Sequence, residues 1–181
     1  MRRFSRRDFL RTLFSAAGSW LLLSRSAAAQ PEPIKIGHQL DKTGIVAPFG
    51  KWHNAALKAV VNHINETGGI AGRQVELISS DDAASNAEIG SQQFQKLVQE
   101  KRADFVIGSV LSETNIATAP LAKELKTVYL PQGIATDITG AKGNRWIFKS
   151  YHTVRAAVEA GYLWALENLG EVWTIIHSEL A

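Results

Sequence analysis

Past residue 33 the chain switches between short continuous apolar runs and longer stretches with an apolar residue every three to four positions. Short runs bounded by polar residues or glycine read as buried strands, and the three-to-four spacing reads as helices carrying one apolar stripe. Residues 34–37 form the first strand. After a loop ending at Phe49-Gly50, Leu57, Val60, Val61 and Ile64 mark the stripe of the first helix, which Gly68-Gly69 stop because glycine accepts a left-handed backbone. Residues 75–78 are the second strand. Ser85-Asn86-Ala87-Glu88 has the form of a capping box opening the second helix, buried along Ile89, Phe94, Leu97 and Val98. Residues 105–108 are the third strand. The third helix runs to about Leu125, with Pro120 as a kink or a late start. Residues 128–130 and 146–148 are strands four and five. Thr153 then opens an amphipathic helix (Val154, Ala157, Val158, Gly161, Tyr162, Ala165, Leu166, Leu169) that Gly170 closes, and residues 172–177 begin another buried strand. The alternation of strands and helices predicts an α/β fold with a doubly wound parallel sheet.

The first 29 residues break this rhythm. Ser5-Arg6-Arg7-Asp8-Phe9-Leu10-Arg11 matches a twin-arginine export pattern, an apolar run of 12 residues (12–23) follows, and Ala27-Ala28-Ala29 supplies an A-x-A cleavage site. That run is shorter than the roughly 20 residues a membrane-spanning helix needs. A basic arm for nucleic acid or a membrane surface is the competing reading, but an apolar run and a small-residue site follow the arginines directly. Charge agrees with removal. The chain is +3 overall, from 20 Lys+Arg and 17 Asp+Glu. The leader holds six Arg and one Asp, so the remainder carries 14 basic and 16 acidic residues, about −2. No polycationic surface is left to bind nucleic acid. The absence of Cys excludes disulfides, thiolate metal sites and a lipid-anchored cysteine. The expected product is free in the periplasm, having met the Tat translocase during export.

Thr43-Gly44, Phe49-Gly50 and the stretch Asn62-His63-Ile64-Asn65-Glu66-Thr67-Gly68-Gly69-Ile70-Ala71-Gly72-Arg73, which runs on into the strand ending at Asp81-Asp82, together resemble the type I periplasmic binding proteins of the leucine/isoleucine/valine-binding family. The resemblance covers residues 33 to 177. It implies two α/β lobes that close by a hinge on a small solute and then dock on an ABC permease. The expected domains are a twin-arginine signal peptide at 1–29, an N-terminal ligand-binding lobe at 30–150 and the start of a C-terminal lobe at 151–181. Chains of that family run to about twice this length, so this sequence is expected to be a fragment or a truncated frame.

Open α/β sheets bind ligands beyond the carboxyl ends of their strands, near the point where strand order reverses. Three segments fall there: 41–50, 109–114 and 131–137. At the second, Ser112 stands where strand becomes helix, and a helix N-terminus receives anions well. The resemblance gives Ser112 the α-carboxylate of an amino acid, whereas residue chemistry alone leaves it open as a simple N-cap. The resemblance places Phe49 against the solute's apolar part; it reads equally as a hydrophobic staple or core residue at the start of helix 1. Trp52 and His53 either line the cleft mouth or sit on the helix surface. In the third segment Gly133, Ala135 and Thr136 match a loop that completes the carboxylate site with backbone groups and a Thr hydroxyl. An ungapped match puts Ala135 at the hydroxyl position and Thr136 one residue late. The solute class therefore stays open between an amino acid and an amide, urea-like or aromatic compound.

An enzyme is not expected. Gly68-Gly69-Ile70-Ala71-Gly72 follows a helix and precedes a strand, the reverse of a dinucleotide loop. Asp81-Asp82 could be an acid/base or metal pair, but the five His (38, 53, 63, 152, 177) have no ligand spacing with it. There is no nucleophile elbow and no phosphate-binding Walker loop. No metal or cofactor is expected. A periplasmic ligand sensor or regulator of the amide-binding type is the alternative on the same scaffold, and a secreted α/β enzyme the distant one.

Overall fold

The core of the chain is a four-stranded, all-parallel sheet in the order β2-β1-β3-β4. The computed structural model describes residues 31–81, 86–170 and 172–174. The export signal, its cleavage site, Asp82, Ser85 and residues 175–177 lie outside the described residues. The elements are β1 (Ile34–Leu40), α1 (Ala47–Glu66), β2 (Val75–Asp81), α2 (Ala87–Gln95) with a π turn continuing it (Lys96–Glu100), β3 (Phe105–Gly108), α3 (Ser112–Glu124), β4 (Val128–Leu130), a 3-10 turn (Thr136–Ile138) and α4 (Val154–Leu169).

The sheet is wound on both faces. Ile36 of β1 and Val75 of β2 pack with Val61 of α1, joined by Phe105 and Ile107 of β3. The intervening residue of β3, Val106, packs on the other face with Phe94 and Leu97 beneath α2, Ala119 and Ala122 of α3, and Tyr129 of β4. This alternation is what parallel strands covered on both sides require. Phe94 and Tyr129 meet edge to face, ring centroids 5.2 Å apart. Asn65 near the end of α1 substitutes for a strand neighbour at the start of β2: its Nδ2 donates to the Val75 carbonyl (2.9 Å) and its Oδ1 accepts from the Val75 N–H (2.7 Å).

Several sequence expectations need correction. β1 extends three residues past Gly37: the polar His38 and Gln39 pair with both neighbouring strands, and Leu40 pairs with β2. Helix α1 starts at Ala47, so Phe49 and Gly50 lie in its first turn and not in the preceding loop. That turn is pressed onto the end of β1. A Cβ on Gly50 would collide with the Asp41 carbonyl, so only glycine lets α1 approach this closely. Val60, assigned to the buried stripe, is exposed. Asn86, one residue later than Ser85, caps α2, accepting from the Ile89 N–H at 3.0 Å. Helix α3 starts at Ser112 and contains Pro120, so the proline does not mark a late start. The fifth strand shrinks to one parallel bridge, Tyr129 with Ile147, and residues 172–174 are not strand. Thr153 does cap α4, accepting from the Ala156 N–H at 3.1 Å. The apolar residues Val154, Val158, Tyr162, Leu166 and Leu169 of α4 are exposed and only Ala165 is buried. No helix of the described residues is long and apolar enough to cross a membrane.

Candidate functional site

Strand order reverses between β1 and β3: β1 leads outward to β2 on one side, and β3 leads to β4 on the other. The carboxyl ends of these two strands are laced together by Asp41, the residue just after β1. Its Oδ1 accepts from the Ser109 hydroxyl (2.8 Å) and its Oδ2 from the Val110 N–H (2.9 Å). Ser109 Oγ in turn accepts from the Leu111 N–H at 3.1 Å. A buried carboxylate with two charge-assisted bonds fixes the turn that launches α3.

Ser112 is the first residue of α3, not its cap; the capping position belongs to Leu111, whose side chain caps nothing. The Ser112 Oγ is used differently. It accepts from the Ala135 N–H at 3.1 Å, across 23 residues of chain. Since the hydroxyl accepts there, its proton remains available for a solute. One turn further, the fully buried Asn115 organises the rest. Its Nδ2 donates to the Ser109 carbonyl (3.0 Å) and the Tyr129 hydroxyl (2.9 Å), and its Oδ1 accepts from the Gly133 N–H (2.7 Å). A Cβ on Gly133 would run into Asn115 Oδ1 and crowd Ser112, so this position admits glycine only. Two α3 side chains three residues apart thus hold two alternate amides of the 133–136 loop.

The loop has two further contacts. Lys149 Nζ donates to the Ala135 carbonyl (3.1 Å), and the Val154 N–H donates to the Ile134 carbonyl (2.8 Å). Burial lowers the Lys149 pKa from its ordinary value. Thr136 opens the 3-10 turn and is exposed. Phe49 projects from the first turn of α1 with 59% of its surface exposed, and Trp52 with 69%.

Ser112, Gly133 and Ala135 are therefore joined by hydrogen bonds, Thr136 adjoins them along the chain, and Phe49 lies on α1, at the end of β1. Asp41, Asn115 and Lys149 were missed by sequence reasoning. Asn115 had a signal, standing three residues from Ser112 on the same helix face. Asp41 had none beyond opening the 41–50 segment, because the polar His38 and Gln39 stand before it. Lys149 had none, since its role depends on a contact across 14 residues. His38 is a further buried polar group, 1% exposed, with no hydrogen-bond partner for Nδ1. Burial, with contributions from His53 and Lys42, lowers its pKa to about 4. Among the described residues there is no cluster of three or more His, Asp or Glu suited to a metal ion.

The sequence model of the periplasmic binding protein family matches residues 33–181. The chain belongs to the periplasmic binding protein family. A relative in Pseudomonas aeruginosa, the leucine-, isoleucine-, valine-, threonine- and alanine-binding protein, is 32% identical over 142 residues, covering 78% of this chain and 37% of its own length. Among solved periplasmic binding proteins, the branched-chain amino acid transporter substrate-binding protein LivJ from Streptococcus pneumoniae, in complex with isoleucine, superposes with a TM-score of 0.67 at 23% identity, over 76% of this chain and 39% of the other. A solute-binding protein of an ABC transporter from Rhodopseudomonas palustris BisB5, in complex with 3,4-dihydroxybenzoic acid, gives 0.65 at 24% identity, over 76% and 36%. These two likenesses establish the fold, an α/β fold on a parallel sheet of the type I periplasmic binding protein kind. The chain spans a little over a third of the length of the relatives it matches.

Proposed function

We propose that this chain supplies the N-terminal lobe, residues 30–150, and the beginning of the second lobe, residues 151–181, of an extracytoplasmic receptor that captures a small polar solute for an ABC importer. The solute is a branched-chain amino acid or a compound of similar size carrying a carboxylate. One observation carries the reading. At the switch point, Ser112 and Asn115 on one helix hold the amides of Ala135 and Gly133, leaving the Ser112 proton and the first-turn amides of α3 to meet an anionic head group. Phe49 would cover the apolar part. Thr136 stands beside Ala135 as a further hydroxyl. Binding, with no chemical step, is the whole activity, and the second lobe closes over the solute to exclude water.

The solute is identified by calorimetric titration of the complete protein with leucine, isoleucine, valine and 3,4-dihydroxybenzoate. Saturable binding of at least one, lost in the Ser112→Ala variant, supports the proposal; binding unaffected by that substitution would remove Ser112 from the site. Turnover of a bound solute would show an enzyme instead. Delivery by the twin-arginine route is tested by replacing Arg6 and Arg7 with lysine in a fusion to a reporter active only after export. Export that persists by another pathway would refute that route.

A further inference from the structure

We propose that Lys149 is the counter-charge by which this site selects a carboxylate over a neutral head group, an inference that rests on the receptor reading above. The parallel bridge between Tyr129 and Ile147 carries the segment after Ile147 in the same direction as β4. Lys149 therefore emerges at the carboxyl end of the sheet, where the 133–136 loop and the start of α3 also lie. There its ammonium binds the Ala135 carbonyl, on the same residue whose N–H binds Ser112 Oγ. The positive charge and the available hydroxyl proton are thus anchored on the two sides of one residue. An ammonium has three N–H groups, and the Ala135 carbonyl takes one.

Lys149 is half-buried, and its hydrogen bond goes to a neutral carbonyl. The ion pair seen among the described residues is elsewhere, Arg155 with Glu159 on the exposed face of α4. Burial disfavours the charged form of Lys149. A partly desolvated cation whose hydrogen bond goes to a neutral carbonyl is an unmet electrostatic demand, and a solute carboxylate answers it. The acidic groups on the neighbouring segments do not. Asp137 is exposed on the 3-10 turn, and Glu113 sits in the first turn of α3. An amide head group would present a dipole and no charge, leaving the ammonium as it is.

The test compares each acid with its own carboxamide: leucine with leucinamide, and 3,4-dihydroxybenzoate with 3,4-dihydroxybenzamide, by calorimetry on the complete protein. Wild type should prefer the acid. Lys149→Met and Lys149→Gln should both shrink the acid-to-amide ratio by about 10- to 100-fold, the worth of a hydrogen bond to a charged group, while Lys149→Arg keeps it within roughly threefold. Gln keeps a neutral donor for the Ala135 carbonyl, so it separates charge from bracing and serves if the Met variant fails to fold. A ratio unchanged in Gln or Met, with acid and amide weakened alike, would make Lys149 a brace and overturn the proposal. Equal binding of acid and amide by wild type would overturn it as well. Binding of none of the four compounds would overturn the receptor reading itself.

Discussion

Replacing Asn115 with alanine should loosen the solute loop before it loosens anything else. Asn115 makes three buried hydrogen bonds to three separate segments: the Ser109 carbonyl after β3, the Tyr129 hydroxyl on β4 and the Gly133 N–H in the loop. The Ser109 carbonyl keeps a second donor, the Gln132 N–H at 3.2 Å, so it is not orphaned. The Gly133 N–H faces Asn115 Oδ1 from a buried position and loses its partner. Lost bonds are worth roughly 1 kcal/mol each, and an unmet buried donor costs about 1–3 kcal/mol. The total is about 3–5 kcal/mol, of which about 1–3 kcal/mol falls on the loop.

Hydrogen exchange on the complete protein reads this locally. Exchange of the Gly133 amide should accelerate by about 10- to 100-fold in Asn115→Ala, since 1.4 kcal/mol is a factor of ten. The Ala135 amide, held by Ser112, should accelerate less. Asn115→Asp is the informative companion: its carboxylate still accepts from Gly133 but faces the Ser109 carbonyl with a charge, so stability falls while Gly133 stays protected. Equal protection of Gly133 in wild type and in Asn115→Ala would refute the reasoning, because the bond at 2.7 Å would then contribute nothing to holding the loop.

Three further outcomes are expected. Gly133→Ala drives a methyl group into Asn115 Oδ1 and Ser112, and should cost about 1–3 kcal/mol in urea unfolding while abolishing solute binding; full binding would show that the loop relaxes freely. His38 carries a pH signature. Its folded pKa of about 4 lies below the ordinary 6.5, so the unfolded chain takes up the proton first; its contribution is complete above pH 6.5 and falls, by up to about 3 kcal/mol, as pH drops toward 4. Stability measured against pH should lose that acid limb in His38→Met, and identical curves would contradict it. Phe49→Ala removes a side chain that is 59% exposed, so unfolding should shift by less than about 0.5 kcal/mol while solute affinity falls several-fold; a large stability loss would assign Phe49 to the core.

The fold was legible because burial is periodic. Residues 105–108 and 128–130 announce themselves as strands, and the α2 residues Phe94 and Leu97 fall where a buried stripe places them. The reading failed wherever polarity and burial part company. Strand β1 was cut short at Gly37 because His38 and Gln39 look like loop residues, yet both are buried against two neighbouring strands. The residues at 146–148 look like a strand, but a single bridge to Tyr129 forms. The stripe on α4 was identified correctly as apolar, and it faces solvent among the described residues, because an amphipathic pattern specifies that a helix has something to bury and not what it buries against.

The site divides along the same line. The position of Ser112 and the 133–136 loop beyond the strand ends was legible, since a strand end followed by a helix start has a local signature. What holds them together was not, because it consists of contacts between segments: Asp41 to Val110 across 69 residues, Asn115 to Gly133 across 18, Lys149 to Ala135 across 14. Each of the last two ends on the backbone of the loop, and backbone groups are the same in every sequence. The loop can therefore vary in side chain, as Ala135 does where a hydroxyl was expected, provided Gly133 stays small and the partners of its amides stay in place. On the receptor reading proposed above, discrimination among solutes then falls to the groups left over once the loop is held. Those are the hydroxyl proton of Ser112, the exposed ring of Phe49 and the remaining N–H groups of the Lys149 ammonium.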